Sequence, residues 1–555
     1  MKKYSSQFVT KFNKARSFHK QGAFSEAERA YRSLLAKSDH IEEILGALTR
    51  LYLQTGRLQQ AVNCLEKIIR YVPEKPIYYE EMVKLYDHME NGEKAASCYR
   101  QLLARQPHLA DTHYNLGYLL KKYHKYEEAI SAYQAALEQK IERPEEVYLN
   151  MAVIYSDHLR QEDKAKQALE KALDIKPDYV SAMFNLANIL EEEGDRKGAE
   201  QWFSRTVEHD PTYDQALARL GEVKKFAIRD DPVIGKIRQA VEKPELDVST
   251  RTNLYFSLGK ALNQCGSYDE AFSQYEKANR YNMSLVPAYD RTVRESITDD
   301  LISFFSREWF AKVEPVSDAA PIFICGMFRS GSTLAEQIMA SHSEVTAGGE
   351  VDFFVRKVRD DFSPFPTSLH GVNPGDLKKL AQEYLRLLSR LFPNAQYITD
   401  KRPDNFLFLG LLKSLFPNVK IIYTRRNPLD NCLSVYFLRL GAAMNYATKL
   451  ENIGHYYQEC QRLMGHWQDM FGENIVEVNY DDLVKDPKPS VEKMLNFCGL
   501  AWEDSCLEFH KLDNVVKTAS VWQVRQPLYQ KSSGRWRNYE AHLGELKKIF
   551  NATEG

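Results

Sequence analysis

No run of about 18 uninterrupted apolar residues occurs anywhere in the 555-residue chain, so no segment reads as a membrane-spanning helix. Charge of one sign is missing too: 74 Lys and Arg stand against 76 Asp and Glu, a net charge of −2. No whole-chain basic field therefore points to nucleic acid or an anionic membrane, and any anion site must be local. The eight cysteines are scattered, without a CxxC pair or a His-rich cluster. Neither a zinc ribbon nor a disulfide framework is indicated, and no metal site is expected. The opening run, MKKYSSQFVTKFNKARSFHKQG, carries charge throughout and has no apolar h-region. These absences lead to the expectation of a cytoplasmic protein, and the length predicts several domains.

What the chain does have is a period. Ala27, Ala61, Ala95 and Ala129 recur every 34 residues, Ala165 follows after 36 and Ala199 after another 34. Four residues beyond each stands a larger side chain: Tyr31, Leu65, Tyr99, Tyr133, Leu169 and Phe203. Twelve beyond most comes a proline, Pro73, Pro107, Pro177 or Pro211. The small residue lets two helices approach, the larger one fills the gap a turn later, and proline closes the second helix. The unit is a helical hairpin. It resembles the tetratricopeptide repeat, whose first-helix positions appear as Asn115-Leu116-Gly117-Tyr118 and Asn185-Leu186-Ala187. After an irregular stretch at 228–248 the pattern returns in Leu258-Gly259, Ala271 and Tyr275. Seven units fill residues 1–282, and the resemblance implies an α-solenoid that binds a protein or peptide. Tyr99 and Tyr133 read as packing residues between helices.

Residues 283–320 read as a helical linker with apolar Leu301, Ile302, Phe304, Phe305 and Phe310. From 321 to 555 the pattern alternates: PIFIC, QYITD, VKIIYT and NIVEVNY each lead into a helical stretch. Such alternation predicts an α/β domain with a central parallel sheet and helices on both faces. Ligands in these sheets bind beyond the carboxyl ends of the strands. Residues 326–333, Asp400, Lys401, Arg425, Arg426 and Tyr480 all fall at such ends.

The first strand runs into Gly326-Met-Phe-Arg-Ser-Gly-Ser-Thr333, which has the GxxxxG spacing of a phosphate loop, with Ser332 where a nucleotide triphosphatase carries lysine. Glycines admit backbone N–H groups close to an anion, and the helix start adds partial positive charge. The missing lysine argues against a kinase, and Arg329 offers a bidentate donor for a different anion. A second anion signal is YTRRNPLDNCLSVYF. There Arg426 ends a strand and Ser434 lies about two turns into the next helix, so the pair could clamp one phosphate from two directions. Arg425 reads as a surface ion pair.

In this order the two motifs resemble the 5′-phosphosulfate loop and the 3′-phosphate motif of sulfotransferases that use 3′-phosphoadenosine 5′-phosphosulfate. The likeness is to the tyrosylprotein branch and its bacterial repeat-containing relatives, and it spans about 321–542. It implies a P-loop-like domain, that nucleotide as co-substrate, no metal, and a hydroxyl acceptor, with protein tyrosine, a glycan and a small metabolite all open. Arg329, Ser330, Gly331, Ser332 and Thr333 would hold the 5′ end, and Arg426 and Ser434 the 3′-phosphate. Glu350, twenty-one residues after Arg329 in ASHSEVTAGGEVDFF, matches the family's base. His342 is the rival base and reads as structural. Lys401 matches a lysine facing the transferring group, so Glu350, Lys401 and Arg329 are the catalytic candidates. Tyr480 matches a segment near the adenine, although Asp481 replaces its glutamate. Ser520 and Arg535 match residues that close over the cofactor, with Arg535 in place of a lysine, and Arg525 and Lys531 could add charge. The reading from another class is a repeat scaffold with an inactive nucleotide-binding domain; intact Arg329, Glu350, Lys401, Arg426 and Ser434 argue against it.

Overall fold

A computed structural model describes residues 6–314, 316–512, 524–528 and 532–551. Packing divides the chain into two compact units, Met1–Ile189 and Leu190–Gly555.

The first unit is a succession of helical hairpins, such as Ile41–Gln54 with Leu58–Tyr71 and Ala110–Lys122 with Tyr126–Glu138. Ala27, Ala61, Ala95, Ala129 and Ala165 are wholly buried, as the close approach of paired helices requires. The glycine of one helix and the aromatic residue of the next explain each other: a Cβ on Gly117 would lie 2.8 Å from the Tyr133 ring. Tyr99 and Tyr133 are buried between helices. The turns repeat as faithfully as the cores. Gly22, Gly56, Glu90, His124 and Arg160 have φ of 76, 69, 55, 58 and 55°, and each stands five residues before a signature alanine. This left-handed backbone suits glycine and costs other residues roughly 1–2 kcal/mol.

The second unit opens with the remaining repeat helices, among them Arg196–His209, Asp214–Val223, Val248–Gln264 and Tyr268–Asn282. Inside 228–248, which the sequence reads as irregular, a helix spans Pro232–Ala240, capped by Asp231 Oδ1, which accepts from Val233 N–H at 2.9 Å. Only Ile234, Ile237 and Ala240 of it are buried, too few to display a helical period. The last repeat packs directly on the sheet domain. Asn279 Nδ2 donates to Tyr436 O at 2.9 Å and Asn282 Nδ2 to Leu440 O at 3.1 Å. Tyr275 stacks on Phe437 with centroids 4.0 Å apart. In the linker, Phe305 is wholly buried, edge-on to Trp467. The packing boundary at 189/190 therefore falls inside the repeat array, because the last repeats and the linker lean on the sheet domain.

Among the described residues five parallel strands form the sheet: β1 (Ile322–Gly326), β2 (Val345–Ala347), β3 (Tyr397–Lys401), β4 (Lys420–Arg425) and β5 (Ile475–Asn479), in the order β2-β3-β1-β4-β5. Four coincide with the apolar runs of the sequence. The fifth, β2, has three residues at a sheet edge, too short for a strand pattern to show. Side chains of β1 alternate between faces. Ile322 and Ile324 meet Ile338 of the helix Ser332–Ala340 and Met494 of Pro487–Cys498, while Phe323 packs on Phe354 and Tyr384. Register sets Ile324 beside Lys401 and Gly326 beside Thr424. Strand order reverses at β1, so the carboxyl ends of β1, β3 and β4 open onto one cleft, where such sheets bind ligands.

Candidate active site

At the end of β1 the chain turns through Gly326, where φ is 147° and a Cβ would lie 2.3 Å from Thr424 O. Only glycine brings the turn this close to β4. Ser330 shares a hydrogen bond of 2.7 Å with Thr424 Oγ1, pinning the turn from inside. Gly331 then caps the helix Ser332–Ala340 and packs under the Tyr480 ring. Between them Arg329 has φ of 70°, an uncommon state for a non-glycine residue. Its side chain reaches the helix Pro428–Tyr436, where Nε donates to Ser434 Oγ at 3.1 Å. The two anion motifs, separate in sequence, touch here.

Arg426 follows β4 and is 7 % exposed. Its guanidinium carbon sits 4.7 Å from the centre of the Tyr480 ring, a cation–π contact. Nη2 donates to Ser532 O, and Nη1 lies 3.5 Å from Arg329 O. Nε is buried without a hydrogen-bond partner among the described residues. Two carboxylates organise the surroundings. Asp430 accepts from Gly534 N–H at 2.6 Å and Trp536 N–H at 2.8 Å, and burial pushes its carboxyl up. Asp481 accepts from Asn427 N–H at 2.8 Å and from Ser533 Oγ at 2.5 Å. They hold the segment that carries Arg535, whose guanidinium lies 5.1 Å from the Phe437 ring.

At the end of β3, the buried Lys401 donates from Nζ to Glu350 Oε1 at 2.7 Å, while the Glu350 side chain is 40 % exposed. Beneath them Glu336, on the loop helix, accepts on Oε1 from Gly349 N–H at 3.0 Å and Thr399 Oγ1 at 3.2 Å. Burial pushes the Glu336 carboxyl up to about 7, against the opposing pull of Lys401. Asp400 is likewise pushed up to about 7 by burial, although Tyr384 Oη and Asn405 Nδ2 donate to it at 2.9 and 3.2 Å. His342 is buried with both ring nitrogens engaged. Nε2 donates to Ala501 O at 3.1 Å and Nδ1 accepts from Glu344 N–H at 3.2 Å.

A cavity of about 690 Å³ joins these elements. Of the residues singled out in the sequence, Arg329, Gly331, Ser332, Thr333, Glu350, Arg426, Ser434, Tyr480 and Arg535 line it. Ser330 and Lys401 stand behind that wall, one on Thr424 and the other on Glu350. Ser520 and Lys531 lie outside the described residues. Arg425 faces Glu477 at 3.6 Å, as a surface pair. Sequence reasoning missed Glu336, whose signal was the one charge in the STLAEQIMA helix, and Asp430, which gave none. It also missed repeat residues that line the same cavity, among them Glu222, Asn253 and Lys260. Lys260 Nζ pairs with Glu222 Oε2 at 2.8 Å. Among the described residues there is no group of three or more His, Cys, Asp or Glu placed to hold a metal ion, and no helix long and apolar enough to cross a membrane.

Comparison with known proteins bears on both halves. Residues 321–504 match the sulfotransferase family, and residues 18–83, 80–144, 160–220 and 252–282 match tetratricopeptide repeats. An uncharacterized protein of Aquifex aeolicus (strain VF5) is 30% identical over 430 residues, which cover 74% of this chain and 56% of that one. A flavonol 3-sulfotransferase of Flaveria bidentis is 29% identical over 207 residues, 35% of this chain and 64% of the plant enzyme. The chain thus spans less than two thirds of either relative. Among solved structures, the sulfotransferase domain of the Synechococcus PCC 7002 olefin synthase matches 40% of this chain and 88% of its own, at 20% identity and a TM-score of 0.32. The protein carries tetratricopeptide repeats followed by a sulfotransferase family domain.

Proposed function

We propose that the protein is a sulfotransferase that takes 3′-phosphoadenosine 5′-phosphosulfate as donor and a hydroxyl group as acceptor, protein tyrosine being the first to test. One observation carries this reading: the phosphate-loop residue Arg329 and the helix residue Ser434 meet on the wall of the cavity that Arg426 also lines. The residues fit such a donor. Arg426 keeps a buried Nε–H unpartnered among the described residues, and the loop opens a helix N-terminus onto the cavity at Ser332 and Thr333. Buried charge and a helix start both favour an anion there.

In this reading Arg329, Ser332, Thr333 and the N–H groups of 330–333 hold the 5′ end. Arg426 and Ser434 hold the 3′-phosphate, and Tyr480 and Arg535 flank the nucleotide, with Ser520 as a further contact. The donor supplies an activated sulfuryl group. Glu350 accepts the proton of the acceptor hydroxyl as that oxygen bonds to sulfur and the S–O bond to the 5′-phosphate breaks, with 3′-phosphoadenosine 5′-phosphate as the leaving group. Protonation of Glu350 weakens its hold on Lys401 Nζ, and the released ammonium is then available to charge developing nearby. The chain uses fixed cations and hydrogen-bond donors where kinases use Mg²⁺. The repeats bind a protein or peptide partner, as is usual for this repeat, and the domains are read as 1–282, 283–320 and 321–555, in the cytoplasm.

Thermal shift tests the donor. Stabilisation by 3′-phosphoadenosine 5′-phosphate but not by ATP–Mg²⁺ is the expected result, and the reverse would sink the proposal. Transfer of labelled sulfate into lysate protein then separates an active enzyme from an inactive nucleotide-binding scaffold.

A further inference from the structure

Glu336 has no part in the proposed chemistry, yet it is 4 % exposed on the helix that the phosphate loop opens. A carboxylate in so dry a place costs stability unless its hydrogen bonds are made. Its Oε1 takes two, from the Gly349 amide at 3.0 Å and the Thr399 hydroxyl at 3.2 Å. The same short loop is tied on its other side to β3: Gly348 N–H donates to Thr399 O at 2.9 Å, and Gly349 O accepts from Lys401 N–H at 2.9 Å. Glu350 comes next in the chain and holds Lys401 Nζ at 2.7 Å. From the phosphate loop to the proposed base there is thus an unbroken run of bonds through one carboxylate.

We propose that Glu336 is a positioning residue that fixes the loop bearing Glu350, and with it Lys401, to the helix of the phosphate loop. The inference rests on the reading of Glu350 as base and of the loop as a nucleotide site. Glu336 makes the bonds seen from this helix to the loop and to β3. Its neighbours Ala335, Ile338 and Met339 are apolar and buried in the sheet core. The ionisable groups acting on Glu336 are Lys401 of β3 and Glu350 of the loop, while Asp400, on the other face of β3, bonds Tyr384. Burial raises the proton affinity of Glu336, and Lys401 pulls against it. The tether is a geometric constraint first. A misplacement of about 1 Å at a reacting group costs on the order of 10²-fold in rate, so a fixed loop matters to turnover.

The test uses the full chain and hydrogen exchange of residues 348–350, read by mass spectrometry with and without 3′-phosphoadenosine 5′-phosphate. Glu336→Ala should speed exchange there by about tenfold or more, with nucleotide affinity kept within about twofold. Glu336→Gln, which retains an acceptor oxygen, should restore protection. Nucleotide should slow exchange at 348–350 in the native chain and fail to do so in Glu336→Ala. If the alanine variant does not fold, Glu336→Asp, which withdraws the oxygen by one methylene, must show the faster exchange. Unchanged exchange in the variant, or equal slowing by nucleotide in both chains, overturns the proposal. A native chain that does not bind the nucleotide overturns the donor assignment instead, and exchange without ligand still decides the tether.

Discussion

Arg426 and Ser434 make the most direct test at the scale of single residues. Each offers a charge-assisted contact to a phosphate, worth about 1.5–3 kcal/mol, so Arg426→Ala and Ser434→Ala should each weaken 3′-phosphoadenosine 5′-phosphate binding by roughly 10–100-fold. Calorimetric titration reads this, and unchanged affinity in both variants would remove the 3′-phosphate assignment. The base is tested separately. Glu350→Gln should bind nucleotide normally while losing about 10²–10⁴ in turnover. His342→Ala should lower the melting temperature and spare turnover, because both ring nitrogens are spent on the backbone of Glu344 and Ala501. The opposite pattern in a sulfate-transfer assay would hand the role to the histidine. Asp400 carries a pH signature. Its carboxyl titrates near 7 in the folded chain and near 4 when unfolded. Between those values the folded chain binds a proton that the unfolded chain has lost, so this contribution to stability is complete below about pH 4 and declines as pH rises to about 7. The melting temperature of the native chain should therefore fall relative to Asp400→Asn between about pH 4.5 and 7.5. Parallel curves would mean that Asp400 does not titrate there.

At the scale of elements, the repeats contain their own stability test. Every hairpin turn uses a left-handed residue five positions before the signature alanine, but only some turns place glycine there. Glu90→Gly and His124→Gly should each stabilise the protein by about 0.5–1 kcal/mol, since relief of the left-handed strain outweighs the added freedom of the unfolded chain. Denaturant titration of the two variants checks this; destabilisation in both would show that the side chains contribute more than the backbone costs. This regularity also explains what the sequence disclosed. Ala27 and its successors were visible because the same local geometry recurs, and β1, β3, β4 and β5 because each is a compact apolar run. The strand β2 and the helix Pro232–Ala240 were hidden by brevity. The site divides in the same way. Its loop and Arg426 follow local patterns, whereas Glu336 meets Gly349 and Thr399, 13 and 63 residues away, only through the pairing of strands.

For the molecule as a whole, the packing boundary matters more than the end of the repeats. A chain beginning at residue 178, which keeps the helix Val180–Glu193 whole, should fold and bind 3′-phosphoadenosine 5′-phosphate with an affinity within about threefold of the full protein. A chain beginning at 321 would leave Phe437 and Tyr539 without Tyr275 and Asn263, and should be insoluble or fail to melt cooperatively. Equal nucleotide affinity in the two would show that the last repeats are dispensable. The cavity's lining bears on how such proteins can diversify. Every lining residue lies at or beyond Glu191. Whole hairpins upstream can be gained or lost as units, altering the reach of the array without moving a residue of the cavity wall. Downstream, a single inserted hairpin would shift Glu222, Asn253 and Lys260 away from the rest of the cavity wall, so length is free to vary at one end of the array and constrained at the other.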